Sequence, residues 1–66
     1  MSALTPRQRE VAILIAEGAS GQEIATRLAI TPRTVEYHRY QIRQRLGLHS
    51  VAAVTRYVLR KRWSTL

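Results

Sequence analysis

The dipeptide Thr-Pro occurs twice, at residues 5–6 and 31–32, and each copy stands immediately ahead of a stretch with helical periodicity. A threonine hydroxyl can accept from a first-turn N–H, and proline at the first helical position gives up an N–H that has no partner there. Gln8, three residues after Thr5, completes a capping box. The apolar run Val11–Ala16 follows, and Gly18 offers a left-handed stop, so a helix is expected over about 6–17. Ser20 with Glu23 makes a second capping box, and Ile24, Ala25 and Leu28 share one face behind it, predicting a helix over 21–28. Only Ala29, Ile30 and Thr31 separate this helix from the second Thr-Pro, which starts a helix over 32–46 ended by Gly47. Ser50 caps a fourth over 51–61. No segment sustains the period-two alternation of a strand. The expected fold is all-α, a compact four-helix bundle in one domain spanning 1–66, with a helix-turn-helix at about 21–40.

Length limits what such a bundle can do. A chain of 66 residues buries only about 60% of the surface its unfolded form exposes. It has no room for a deep pocket with its own lid, which argues against an enzyme. With no cysteine, helix packing must hold the domain together without disulfides or thiolate zinc sites. The longest apolar run has six residues, far short of the roughly 20 that span a bilayer, and the N-terminus lacks the layout of a signal peptide. A cytoplasmic protein with no membrane partner and no cofactor is the expectation.

The net charge is +7, from eleven basic and four acidic residues. Its distribution says more than its size. Residues 1–36 carry four arginines and all four glutamates, whereas residues 37–66 carry seven basic side chains and no acid. Six of those seven are arginine, the side chain suited to bidentate phosphate and guanine contacts. A polyanion is therefore the leading partner class.

The segment 21–40 supplies the element that would meet it. Ala25 is small, as a close helix crossing requires, and Ile24, Leu28, Ile30 and Val35 supply apolar contacts between the two helices. Projected at roughly 100° per residue, Val35, His38, Ile42 and Leu46 fall in one arc that should face the core. Arg33, Glu36, Tyr37, Tyr40 and Gln44 lie opposite, and none is aliphatic. A helix of this width fits the major groove, with its first turns nearest the base edges. His38 reads as a packed, hydrogen-bonded core histidine rather than a ligand. His49 stands alone in a loop, which leaves no metal pair at helical spacing. Ser50 reads as a cap and not a nucleophile, since no base is placed for it.

Taken together, Leu4–Val11, Ile15–Gly18, Glu23-Ile24-Ala25, Leu28, Thr34-Val35, His38, Ile42, Leu46-Gly47-Leu48 and Ser50 resemble the LuxR-type (GerE-type) DNA-binding domain, the C-terminal output domain of many response regulators and quorum-sensing regulators. The resemblance covers about residues 4–60. It implies a recognition helix at 32–46, with Glu36, Tyr37, Tyr40 and Arg33 toward the bases. Thr34, Arg43 and Gln44 would lie near the DNA backbone or flanking bases, and Thr31 and Arg39 are also expected at the backbone. It also implies a dimer contact on the fourth helix, where Ala52, Leu59 and Trp63 project away from Val51, Val54 and Val58, expected in the core.

Three positions depart from the family pattern. Glu36 replaces a frequent lysine; a glutamate can accept from cytosine N4. Arg39 replaces an apolar residue, and its stem can pack while its head reaches solvent or phosphate. Ala29 replaces a favoured glycine in the turn, where a left-handed alanine costs on the order of 1 kcal/mol.

The function expected is sequence-specific binding of double-stranded DNA by a bacterial transcription regulator, as a homodimer on DNA. An input domain would precede it in a parent protein, unless the chain is a small stand-alone regulator. An interaction module that contacts RNA polymerase or a sigma factor is the alternative, since the same fold can serve it. The polar outer face of the third helix favours DNA.

Overall fold

Each helix begins at the hydroxyl to which the sequence points. In the computed structural model, which describes residues 4–63, the Thr5 hydroxyl accepts from the Gln8 N–H at 3.1 Å, while Gln8 Oε1 accepts from the Thr5 N–H at 3.0 Å. Ser20 and Glu23 make the same reciprocal pair at 3.1 and 2.8 Å. Thr31 accepts from the Thr34 N–H and Ser50 from the Ala53 N–H. The resulting helices are α1 (Pro6–Ala16), α2 (Gly21–Leu28), α3 (Pro32–Leu46) and α4 (Val51–Lys61). Only the end of α1 departs from expectation, by one residue: Glu17 is the cap instead of the last helical residue.

The helix ends share one device. A left-handed residue stands at Gly18, Ala29, Gly47 and Arg62. The next residue donates its N–H five residues back: Ala19 to Leu14, Ile30 to Ala25, Leu48 to Arg43 and Trp63 to Val58, at 2.9 to 3.3 Å. This is the Schellman closure, which satisfies carbonyls left open at a helix end. All four donors pack against the core, so each turn is also tied down by an apolar contact. At Trp63 the tie is elaborate. Its ring lies edge-on to Tyr57, centroids 5.6 Å apart, and under the Arg9 guanidinium at 4.5 Å.

The core is organised around α1. Val11, Ala12, Ile13, Leu14 and Ile15 are all buried, and five consecutive helical residues cover every side of the helix. Accordingly α1 contacts α2, α3 and α4, while α2 and α3 also pack on each other. Leu4, Ile24, Ala25, Val35, Ile42, Val54 and Val58 complete the cluster. One placement corrects the sequence expectation: Val51, the first residue of α4, is exposed and lies ahead of the buried Val54 and Val58. Leu46, in the last turn of α3, is partly buried and packs against the cluster.

Ala29 adopts φ +56°, the strained value anticipated for it. Ala29→Gly should stabilise the domain by about 0.5–1 kcal/mol, since relief of the left-handed penalty outweighs the freedom glycine adds to the unfolded chain. Urea unfolding of both proteins measures it.

Candidate nucleic-acid interface

The interface is built by anchoring one side of α3 and leaving the other outside. Ile24 and Ala25 of α2 are buried against the core shared with Val35 and Ile42 of α3, both fully buried. Ile30, in the turn between the helices, packs against the same cluster. Opposite this seam, Tyr37 and Tyr40 are 60% and 53% exposed, values that rule out a core role for either ring. Arg33, Glu36 and Gln44 are exposed beside them, as is Thr31. Thr34 is half-buried, and its hydroxyl lies 3.0 Å from the Thr31 hydroxyl at the start of α3. Arg43 is half-buried on the flank of the helix.

His38 corrects part of its expected role. It is half-buried on the core side, 5.9 Å from the Tyr37 ring between centroids, but its Nδ1 is buried with no hydrogen-bond partner among the described residues. Arg39 also differs. Its guanidinium turns along its own helix, where Nη1 donates to Glu36 Oε1 at 3.0 Å. Spacing of i and i+3 between an acid and a base was the available signal for this pair. The left-handed Arg62 and the Arg9–Trp63 stack carry no comparable signal, because one is a non-glycine cap and the other joins opposite ends of the chain.

Electrostatics sharpen the asymmetry seen in the composition. Glu10 pairs with Arg7 and Glu17 with Arg27, each at 3.8 Å, and Glu36 pairs with Arg39. The Ser20 N–H, then the Ser20 hydroxyl and the charge of Arg27, hold the Glu23 carboxyl below the usual glutamate range. Every glutamate is thus engaged. Among the described residues, no ion pair involves Arg33 or Arg43 of α3, nor Arg56, Arg60 or Arg62 of α4 and its cap. The charge free to attract a polyanion is positive.

Among the described residues there is no cluster of metal-ligating side chains, and the Ser50 hydroxyl serves as a cap. A shallow hollow of about 400 Å³ on α2 is lined by the exposed Gln22, Glu23, Thr26 and Arg27. Among the described residues no helix is long and apolar enough to cross a membrane.

On α4, Ala52 and Leu59 are exposed on one side, with Leu59 65% accessible. Trp63, expected beside them at a dimer contact, is half-buried within its own chain against Arg9 and Tyr57.

Two helices joined by a three-residue turn, the second offering a polar and aromatic face flanked by arginines with no ion pair among the described residues, define a helix-turn-helix DNA-binding domain. Comparison with known proteins agrees. The profile of the luxR family of bacterial regulatory proteins (GerE) matches residues 2–58, and the chain belongs to that family. It is a DNA-binding transcriptional regulator domain and not an enzyme. The transcriptional regulatory protein MctR of Rhizobium johnstonii is 45% identical over 56 residues, 85% of this chain and 26% of that protein. The tetrathionate response regulatory protein TtrR of Salmonella typhimurium is 42% identical over 53 residues, 80% of this chain and 26% of that protein. The oxygen regulatory protein NreC of Staphylococcus aureus is 39% identical over 59 residues, 89% of this chain and 27% of that protein. The chain thus spans about a quarter of the length of these relatives.

The Ser20–Glu23 box gives a pH-dependent prediction. Because the folded Glu23 pKa lies below its unfolded value, its contribution to stability is complete above the ordinary glutamate range and is lost as pH falls through the lowered folded value. Ser20→Ala should raise the Glu23 pKa toward that range, read by carboxyl NMR titration. The stability gap between wild type and variant should narrow across the same window.

Proposed function

We propose that this domain reads double-stranded DNA with α3 lying in the major groove, as the output domain of a bacterial transcription regulator. The observation that carries the reading is the two-sidedness of α3: Val35 and Ile42 hold it by one side, and the opposite side presents Tyr37 and Tyr40 with Arg33, Glu36 and Gln44 around them. Phosphate contacts position such a helix and base contacts select the sequence. Arg33, Glu36, Tyr37 and Tyr40 take the base-facing role. Thr31, Thr34, Arg43 and Gln44 take the backbone role.

The domain acts as a homodimer on DNA through α4. The exposed pair Ala52 and Leu59, seven residues apart and so on one helix face, supports this contact. A two-fold dimer sets two recognition helices about one DNA turn apart, about 34 Å, on an inverted repeat. An input domain in the parent protein governs the output, in keeping with relatives about four times as long as the matched segment. The setting is the cytoplasm, where the DNA is.

Selection of binding sites from random duplexes should return one inverted-repeat motif. Tyr37→Ala and Tyr40→Ala should each alter the preferred bases while leaving the fold intact, since both rings are more than half exposed. An unchanged preference in both variants would mean that another surface reads the sequence. Analytical ultracentrifugation should find two chains on the selected site, and Leu59→Glu should reduce this to one.

A further inference from the structure

Glu36 and Arg39 are an unequal pair. The Glu36 side chain is 64% exposed and the Arg39 side chain only 24%. Arg39 Nη1 donates to Glu36 Oε1 at 3.0 Å, and Arg39 Nε is buried with no hydrogen-bond partner among the described residues. The arginine is thus held by packing along its length, and one end of its guanidinium is committed to the carboxylate. The pair also has a wall. A Cβ built on Gly21, the first residue of α2, would stand 3.6 Å from Arg39 Nη1 and 3.7 Å from Glu36 Oε1. Backbone from the other helix of the motif therefore bounds the place where the two charges meet. Of the Glu36 carboxylate, Oε1 is taken by Arg39, and Oε2 has no partner among the described residues.

A lone carboxylate on a DNA-facing helix is unfavourable, because duplex DNA carries one negative charge per about 1.7 Å of axis. Paired with a guanidinium, the same group brings no net charge and still has an acceptor oxygen. An ionised carboxylate only accepts hydrogen bonds. Among major-groove edges, cytosine offers an N4 donor without the N7 acceptor that stands beside the adenine donor and would repel a second carboxylate oxygen.

We propose that Arg39 is a positioning residue, not a phosphate contact: it neutralises the Glu36 carboxylate and fixes it against α2, so that Glu36 Oε2 selects a cytosine through its N4 amino group. This rests on the placement of α3 in the major groove. The specificity unit is then a charge pair in place of a single side chain, and the two residues act on one base position.

The test uses the 66-residue chain on its own selected duplex, with each base substituted in turn. Wild type, Glu36→Gln, Arg39→Gln, Arg39→Met and the Glu36→Gln/Arg39→Gln double variant are compared by fluorescence anisotropy, with circular dichroism reporting the fold. Wild type should prefer cytosine at one position per half-site by about fivefold or more. Glu36→Gln, at an exposed site, should move that preference toward adenine, which glutamine reads. Both Arg39 variants should erase the cytosine preference and leave the other positions unchanged. Adding Arg39→Gln to Glu36→Gln should change base preference no further. The proposal is overturned if Arg39 variants weaken binding equally for all sequences, reduce the salt slope by about 1 and keep the cytosine preference, which is the behaviour of a phosphate contact. It is also overturned if Glu36→Gln changes no base preference. A wild type whose binding is indifferent to every base substitution would instead refute the major-groove reading on which the proposal stands.

Discussion

The burial of Val11 to Ile15 on all sides of α1 is the constraint on which the rest of the structure depends. A domain this small cannot afford a separate core between each pair of helices. Threading one apolar helix through the middle lets a single cluster serve three packing partners. Fully burying one aliphatic side chain is worth about 1.5–3 kcal/mol, so a few such residues decide whether the fold exists. Because α2 and α3 rest on α1 as well as on each other, the orientation of α3 is set from two directions. Its outer face can then be given over to residues that contribute nothing to packing.

Most of this architecture is legible in the sequence because helix boundaries are local chemistry. Thr5, Ser20, Thr31 and Ser50 announce starts through hydroxyls, and Gly18 and Gly47 announce stops through a backbone freedom that other residues lack. The two remaining stops show the limit. Ala29 is legible only against a family pattern that favours glycine, and Arg62 is not legible at all. Its left-handed conformation is secured by the docking of its neighbour Trp63 between Arg9 and Tyr57, which no local rule anticipates. The same limit applies to Val51. A periodic projection knows the face of a residue but not whether another helix extends far enough to cover it.

The candidate interface is legible in outline for a related reason. Periodicity separates Tyr37 and Tyr40 from Val35 and Ile42, and exposure in the structure follows that division. Projection treats side chains one at a time, however, and the chemistry of this face lies partly in pairs. Glu36 alone looks like an acid misplaced toward DNA, and Arg39 alone looks like a cation that could reach a phosphate. Joined at 3.0 Å beside Gly21, they become a neutral unit with one free acceptor. Likewise, His38 is foreseeable as a core-side residue, but that its Nδ1 has no partner among the described residues depends on neighbours that sequence does not supply.

In the proposed arrangement α3 alone carries the base-reading surface while α1 holds it in place. NMR of the isotope-labelled chain bound to its selected duplex tests this most directly. Intermolecular NOEs should link the Tyr37 and Tyr40 rings to major-groove protons, cytosine H5 and thymine methyl among them, with the amides of Val11 to Ile15 unshifted. Contacts to the bases confined to the outer face of α2 or to α4, with Tyr37 and Tyr40 unaffected, would contradict it.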